Sequence, residues 1–205
     1  MQTPKAMIAL LVALMMGLAL PANSRGSEVL RSKWTGETAV ATVTTYSECG
    51  GKQTSALLGH NTYGIGKSTT DRYNYFFWSL EWGCGKPSVW SEGEGYDLNA
   101  SAFEKVEFKG NSALLKGNFV VHNDDTKRWL PVDLSWNLLP GGYQSSCGSQ
   151  FNSRDPWGTY RALYKGHTQE AQITGKLDGV EAETAAYIDA SLSKNGGLEI
   201  FKLAK

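Results

Sequence analysis

Cysteines are the first candidates for chemistry, and the sequence has three of them: Cys49, Cys84 and Cys147. In an oxidising compartment three thiols form one intramolecular disulfide and leave one thiol over, so three pairings are open. We expect Cys84 to pair with Cys147, because Cys84 ends an aromatic strand and Cys147 lies in a long polar segment that a crosslink would anchor. The alternative is Cys49 with Cys84, from neighbouring strands. The Cα atoms of the true pair should lie within about 7 Å of each other.

Three histidines are the next candidate ligands, because neutral imidazole is the commonest nitrogen donor to zinc. They are His60, His122 and His167. If the strands follow one another up and down, the loops that carry these histidines share one rim, and the loops that carry the cysteines share the other. Single histidines in surface turns are common, however, and His122 stands in what reads as a hairpin turn. The sequence therefore predicts no metal site and no cofactor.

Aromatic side chains are the third set of candidates, since planar rings at the edge of a sheet stack on sugar rings or on peptide side chains. Five of them fall at predicted strand ends or in loops: Trp82, Trp90, Tyr96, Tyr143 and Trp157. The competing interpretation is that these rings pack beneath the loops, as most large aromatic side chains do. We keep the five as candidate binding residues.

No segment carries a diagnostic catalytic motif. The sequence has no nucleophile elbow, no His-Glu-x-x-His pair and no paired Cys-x-x-Cys. Residues 64–68, Gly-Ile-Gly-Lys-Ser, end like a phosphate-binding loop, but the first glycine of that loop would have to stand where Asn61 stands. Glu92, Glu94 and Asp97 could give the two carboxylates of a glycosidase, yet they read as a solvated turn. No catalytic residue is predicted.

The first 24 residues predict export. Lys5 is followed by an apolar run, residues 6–20, and small residues, Ala22 and Ser24, then stand at the two positions that a signal peptidase reads. This is the pattern of a cleaved signal peptide. The apolar run is shorter than the about 20 residues that a membrane helix needs. We therefore expect a secreted or periplasmic protein with no membrane span after removal of residues 1–24, and a flexible lead-in over residues 25–36.

Short alternating segments separated by Gly-rich turns predict an all-β fold. In the densest aromatic run, Phe76, Trp78 and Leu80 share the face that we expect to be buried, and residues 129–138 alternate in the same way. About ten to eleven such strands over residues 37–205 predict a single-domain antiparallel β-sandwich, with a closed β-barrel as the alternative.

Two polar stretches lack this alternation and are predicted to be long loops. They are residues 59–72 and residues 140–158, both rich in Gly, Ser, Thr and Asn. Loops of this length are uncommon in compact domains and are often functional. The second stretch contains Cys147, which is why we expect a disulfide to anchor it.

Two classes of function fit these predictions. The first is a secreted non-catalytic domain, a binding or structural protein whose rim loops engage an extracellular carbohydrate or protein surface. The alternative is a secreted hydrolase that acts on a polysaccharide or another extracellular substrate. The balance of 20 basic and 20 acidic residues argues against nucleic acid as a partner. We favour the binding domain over the enzyme, because no catalytic set is visible.

Overall fold

The computed structural model of the chain describes residues 28–96, 103–123 and 126–204, so the predicted signal peptide lies outside it. Most of these residues lie in antiparallel strands, which confirms the all-β class. The strands are β1 (Val29–Tyr46), β2 (Gly50–Ile65), β3 (Ser68–Gly83), β4 (Lys86–Tyr96), β5 (Phe103–Lys109), β6 (Ser112–Asn123), β7 (Thr126–Leu138), β8 (Gln144–Asp155), β9 (Gly158–Leu177), β10 (Val180–Glu181) and β11 (Tyr187–Leu203). One turn of 3-10 helix, Ala182–Thr184, follows β10. The described residues contain no helix that is long and apolar enough to cross a membrane.

Eight strands close into a hydrogen-bonded ring. Each pairs antiparallel with the next in the order β1, β2, β3, β4, β6, β7, β9, β11 and back to β1. Between β4 and β6 the described pairs are Ser91 with Asn123 and Glu92 with His122. β5, β8 and β10 add to the sheet beside β6 and β9. This antiparallel arrangement is consistent with the predicted sandwich and with its closed alternative.

The inner face of the ring is the hydrophobic core. The predicted inward residues of β7 are all buried there: Leu130, Val132, Leu134 and Trp136. Trp136 is fully buried, and its indole N–H donates a hydrogen bond to the Val40 carbonyl oxygen on β1, 3.0 Å away. The interior can hold so large a side chain because β1 and β2 contribute several alanines to the same cluster.

The inward face of β3 is the opposite of the predicted one. The residues that we expected to be buried are only half-buried: Phe76, Trp78 and Leu80. Phe77 turns inward instead and packs against Phe119 of β6, with 4.4 Å between the ring centroids. Trp78 stacks on Trp90 on the outside of the ring, 5.2 Å between centroids. The prediction was wrong because aromatic residues occupy both faces of β3, so alternation alone does not say which face is buried.

Beyond the ring, the longest strands and β8 form an open six-stranded sheet, which we call the extension. Its strand segments, in spatial order, are residues 144–155, 158–169, 194–203, 29–37, 60–65 and 68–73. Five ring strands, β1, β2, β3, β9 and β11, continue into the extension without a break in register. Because side chains alternate along a strand, the inner face of the ring continues as one face of the extension, its inner face, and the other is its outer face.

The extension contains the segments that the sequence predicts to be loops. Residues 59–72 form the β2–β3 hairpin with a turn at Gly66, and residues 140–158 contain β8. β1 begins at Val29, inside the predicted lead-in. All residues of β8 are exposed, so polar side chains occupy both of its faces. The loop predictions were wrong because neither face of these segments is enclosed in the core, and the hydrophobic alternation that marks a strand is therefore missing.

The disulfide joins Cys49 to Cys84, with 4.8 Å between the Cα atoms, and the predicted pair of Cys84 with Cys147 is wrong. Cys49 precedes β2 and Cys84 follows β3, and these paired strands bring Gly50 opposite Gly83. The two thiols therefore meet at one rim of the ring, as the alternative pairing requires. Cys147 is free and exposed on β8, at the other end of the molecule.

Candidate functional site

The inner face of the extension is strongly basic. Its cations, placed by alternation along β1, β8, β9 and β11, are Arg31, Lys33, Arg154, Arg161, Lys165, Lys194 and Lys202. The acidic residues on the described part of this face are Glu37 and Asp71, near the ring. Glu37 lies 3.6 Å from Lys194, and Asp71 accepts a hydrogen bond from the Thr62 hydroxyl. The balanced composition of the whole chain conceals this local positive charge.

A trough with a volume of about 300 Å³ opens in this face. Its lining side chains on the inner face are Arg31, Lys33, Thr35, Thr62, Thr69 and Leu198. Gly64 stands between Lys33 and Thr69 in the register, and the side chain that it lacks leaves the space open. No carboxylate lines the described part of the trough.

The trough holds two like charges in close proximity. Arg31 and Lys33 lie two residues apart on β1, so their side chains leave the same face about 7 Å apart. Both are exposed, and neither forms an ion pair with another described residue. Two unpaired cations at this separation repel each other, and an anion placed between them would remove the repulsion. The arrangement therefore favours a negatively charged ligand.

The outer face of the extension is aromatic. Its large side chains are Leu30, Trp34, Tyr63, Ile65, Phe151, Tyr160, Tyr164 and Phe201. Glu199 lies among them and accepts hydrogen bonds from the Ser32 and Tyr164 hydroxyls, both at 3.1 Å. Burial raises the pKa of Tyr160 far above its usual value, and Tyr164 and the Glu199 carboxylate raise it further. The carboxylate among these large side chains, Glu199, is therefore already engaged in hydrogen bonds, and the face that carries it is turned away from the trough.

A second polar cluster, which we call the polar plug, lies inside the ring near the disulfide end. Asp178 accepts hydrogen bonds from both terminal nitrogens of Arg128, at 2.7 and 3.0 Å, and from Lys52. Arg128 also donates to the buried Ser79 hydroxyl. Burial alone would raise the pKa of Asp178, but hydrogen bonds and charge from Arg128 and Lys52 lower it below its usual value. The plug ties the β9–β10 turn to three ring strands.

The five aromatic candidates do not form one surface. Trp82 is half-buried beside Tyr46 at the disulfide end, and Trp90 stacks on Trp78. Tyr143 precedes β8 and Trp157 lies in the β8–β9 turn, and the two residues are 75% and 77% exposed. Tyr96 ends β4, but its side chain lies outside the described residues. A binding role for these five residues therefore stays a prediction.

The three histidines are not brought together. His60 stacks on Tyr73, with 4.3 Å between ring centroids, and its buried Nε2 lies 3.7 Å from Asp71. His167 is bonded to the Ser146 hydroxyl and lies three strands away from His60, about 14 Å. His122 is on β6, opposite Glu92. In the described part of the chain no group of three metal-binding side chains occurs.

Sequence reasoning missed the trough because it weighed charge over the whole chain. The signal was present as Arg31-x-Lys33, two cations at a spacing of two at the start of β1. That spacing is informative only when the segment is known to be a strand, and this segment was predicted to be a flexible lead-in. A search for charge with period two would have found it.

Comparisons with known proteins give no family. No protein-family model and no curated protein matches the chain. Among solved structures, the chain is similar to one described as "an Acetoacetate Decarboxylase-like Enzyme from Sphingomonas wittichii RW1", with 8% identity over 92% of this chain and 98% of that chain, and a TM-score of 0.28. A TM-score of this size carries no inference about the activity of this chain.

The predicted function, a non-catalytic domain that engages carbohydrate or protein through rim loops, with a hydrolase as its alternative, is wrong. The fold lacks the loops that the prediction requires, because most described connections between strands are turns of two or three residues. The candidate site of this fold is instead the basic trough, which lies on a face of the strands and not in a loop.

Proposed function

We propose that this chain binds a small organic anion in the trough on the inner face of the extension. The observation that carries the proposal is the lining of the trough: Arg31 and Lys33 share it with three threonines and Leu198, and no carboxylate is among its described residues. Cations with no acidic partner in a concave site are the usual arrangement for binding a carboxylate or a phosphate.

Five of the six lining side chains can contact such a ligand directly. The planar guanidinium of Arg31 can donate two parallel hydrogen bonds to a carboxylate or phosphate, and the ammonium of Lys33 adds a point charge. The hydroxyls of Thr35 and Thr69 can donate to the remaining anion oxygens. Leu198 gives an apolar contact on the β11 side. The expected ligand therefore has one anionic group and a short apolar part, and its size is limited by the volume of the trough.

The site is also well supported. β1 pairs with β11 from Val29 onward and with β2 from Ser32 onward, and its second half belongs to the core. The Gly66 N–H donates a hydrogen bond to the Arg31 carbonyl oxygen, 3.3 Å away. A binding face on a central strand is held in place by ladder hydrogen bonds on both sides, so little ordering is required when the ligand binds.

We further propose that the protein acts outside the cytoplasm, in a secreted or periplasmic location. The Cys49–Cys84 disulfide supports this, since stable disulfides are typical of oxidising compartments. The pattern of the first 24 residues is that of a signal peptide. Mass spectrometry of the protein recovered after export should find a chain that begins at Arg25. Recovery of a chain with its first residues intact in the cytoplasm would contradict this.

The binding proposal is tested by calorimetric titration with inorganic phosphate, a short monocarboxylate, a dicarboxylate and a phosphate monoester. We expect one of these classes to bind, and the double variant Arg31→Gln/Lys33→Gln to bind it about tenfold to a hundredfold more weakly. The matched control is Lys86→Gln/Lys127→Gln, which removes two exposed cations from other strands. The control should bind as the unmodified protein does.

Two outcomes would contradict the proposal. One is that none of the four anion classes binds. The other is that the trough variant and the control variant lose affinity equally, because the binding would then follow net charge and not the trough. Increasing salt should weaken the binding, since both cations are exposed and screened by counterions.

A further inference from the structure

The strand β8 has one open edge. On its other side it pairs with β9 along its whole length, and no other described strand pairs with it. Natural proteins usually protect such an edge with charges, proline or a bulge. Residues 144–153 contain no charged residue and no proline, and their register with β9 is unbroken. The open edge thus offers unpaired N–H and C=O groups to another strand.

The opposite edge of the extension is different. There no second described strand pairs with β3 over residues 68–73, and this segment carries Asp71 and Arg72. Charges of this kind discourage edge pairing. Of the two open edges of the extension, β8 is therefore the one suited to pairing with another chain.

Cys147 suggests the register of that pairing. It is exposed and free, because Cys49 and Cys84 are bonded to each other. When two copies of β8 pair antiparallel about a two-fold axis at Cys147, each cysteine faces its own symmetry mate. Facing Cα atoms in an antiparallel ladder are about 4.5 or 5.5 Å apart, and both distances fit a disulfide.

The same register brings exposed aromatic residues together. Tyr143 continues the β8–β9 pairing by one residue, since its carbonyl oxygen accepts the Glu170 N–H at 2.9 Å. Phe151 and Tyr143 are 55% and 75% exposed, and alternation puts both on the outer face with Cys147. In the register centred on Cys147, Phe151 faces Tyr143 of the partner subunit, and symmetry makes this pair twice. Cross-strand aromatic pairs stabilise a sheet.

We infer that the chain forms a two-fold symmetric dimer by antiparallel pairing of β8 with β8, with Cys147 opposite Cys147 of the partner subunit. The partner is a second copy of this chain, because a single register pairs the open edge of β8, brings the two free Cys147 thiols together and places Phe151 opposite Tyr143 of the partner subunit. The interface uses the same surface of both copies, so association stops at the dimer. The two extensions become one continuous sheet with their inner faces on the same side.

Oxidative trapping tests the register. Oxidised glutathione accepts two electrons and two protons from two facing Cys147 thiols, which become a disulfide while the glutathione disulfide becomes two thiols. The control is Cys147→Ser/Ser149→Cys, which moves the thiol to the next position on the same face of β8. In the proposed register position 149 faces Ser145 of the partner subunit, and the two positions that carry the new thiols are about 14 Å apart. We expect Cys147 to crosslink about a hundredfold faster than the control.

Charge substitution tests the pairing without any thiol chemistry. Sedimentation of the purified protein under reducing conditions should show a dimer at micromolar concentration. The Ser145→Lys/Ser149→Lys variant places lysines opposite lysines and should be a monomer, while Ser145→Asp/Ser149→Lys places opposite charges together and should be a dimer again. Ser153→Lys is the matched control outside the paired segment and should remain a dimer.

Three results would overturn the inference. They are a monomer at all micromolar concentrations, equal crosslinking rates for thiols at positions 147 and 149, and a dimer that the double-lysine variant does not weaken. Circular dichroism checks that each variant is folded, which the exposure of all β8 side chains makes the expected result.

Discussion

Replacing Asp178 with Asn isolates the contribution of the polar plug. The substitution removes the charge and keeps the shape, and Asn tolerates the left-handed backbone of this position, where φ is 53°. It leaves Arg128 and Lys52 beside each other inside the ring without their shared carboxylate. Any loss of stability is therefore electrostatic and is not a consequence of backbone strain.

The magnitude follows from the burial of the three groups. The Asp178 side chain is 8% exposed, while Lys52 and Arg128 are 26% and 33% exposed. Breaking a fully buried ion pair on one side costs about 3 to 5 kcal/mol. Here water reaches both cations and solvates them in part, so we expect the free energy of unfolding to fall by about 2 to 3 kcal/mol at pH 7.

The direction of the Asp178 pKa shift decides how the stability of the protein changes with pH. The folded-state pKa of Asp178 lies below its unfolded value, so the ionised carboxylate stabilises the fold at every pH above about 4. That contribution is lost as the pH falls through the folded-state pKa. The difference in stability between the natural chain and Asp178→Asn should therefore be constant from pH 7 to about pH 5 and should shrink in stronger acid.

Urea denaturation at a series of pH values measures this difference, with tryptophan fluorescence as the signal. The control is Glu181→Gln, which breaks an exposed ion pair with Lys176 on the same side of the ring and should leave the midpoint unchanged. A difference that is independent of pH, or that is no larger than that of the control, would refute the electrostatic account of the polar plug.

Two further predictions concern the ring. Trp136→Ala should lower the free energy of unfolding by about 3 to 5 kcal/mol, because it leaves a cavity in the core and removes the hydrogen-bond donor to a carbonyl oxygen of β1. The control Trp78→Ala, outside the ring, should lower it by about 1 kcal/mol in the same denaturation assay. Reduction of the Cys49–Cys84 disulfide, with a sequence separation of 35, should cost roughly 4 kcal/mol in the chain-entropy model and lower the melting temperature; an unchanged melting temperature in dithiothreitol would contradict this.

The sequence predicts the ring better than the extension, for a physical reason. A strand of the ring has one face in the core and one outside, so β7 shows apolar residues at every second position and its four inward residues are predicted correctly. A strand of the extension is open on both faces. β8 accordingly has no alternation and was taken for a loop, although it keeps an unbroken register with β9 over residues 144–155.

The disulfide shows a second limit of sequence reasoning. The choice of Cys147 rested on the assumption that a long loop needs an anchor, and the segment is instead anchored by ladder hydrogen bonds to β9. Once β2 and β3 are known to pair from Gly50 opposite Gly83, Cys49 and Cys84 have to be neighbours. The register of β2 with β3 therefore determines which cysteines are bonded. That register cannot be read from the sequence when the length of the hairpin that joins the two strands is unknown.

The trough and the β8 edge lie on one sheet but are independent sites. β1, which carries Arg31 and Lys33, is separated from β8 by β11 and β9, so three strand spacings of about 4.8 Å lie between them. Pairing of β8 with a second copy adds strands at the edge and leaves the lining of the trough unchanged. The monomeric Ser145→Lys/Ser149→Lys variant should therefore keep its affinity for the anion. If affinity falls with dimerisation, the binding site must include residues of the partner subunit, and the trough described for a single chain would be incomplete.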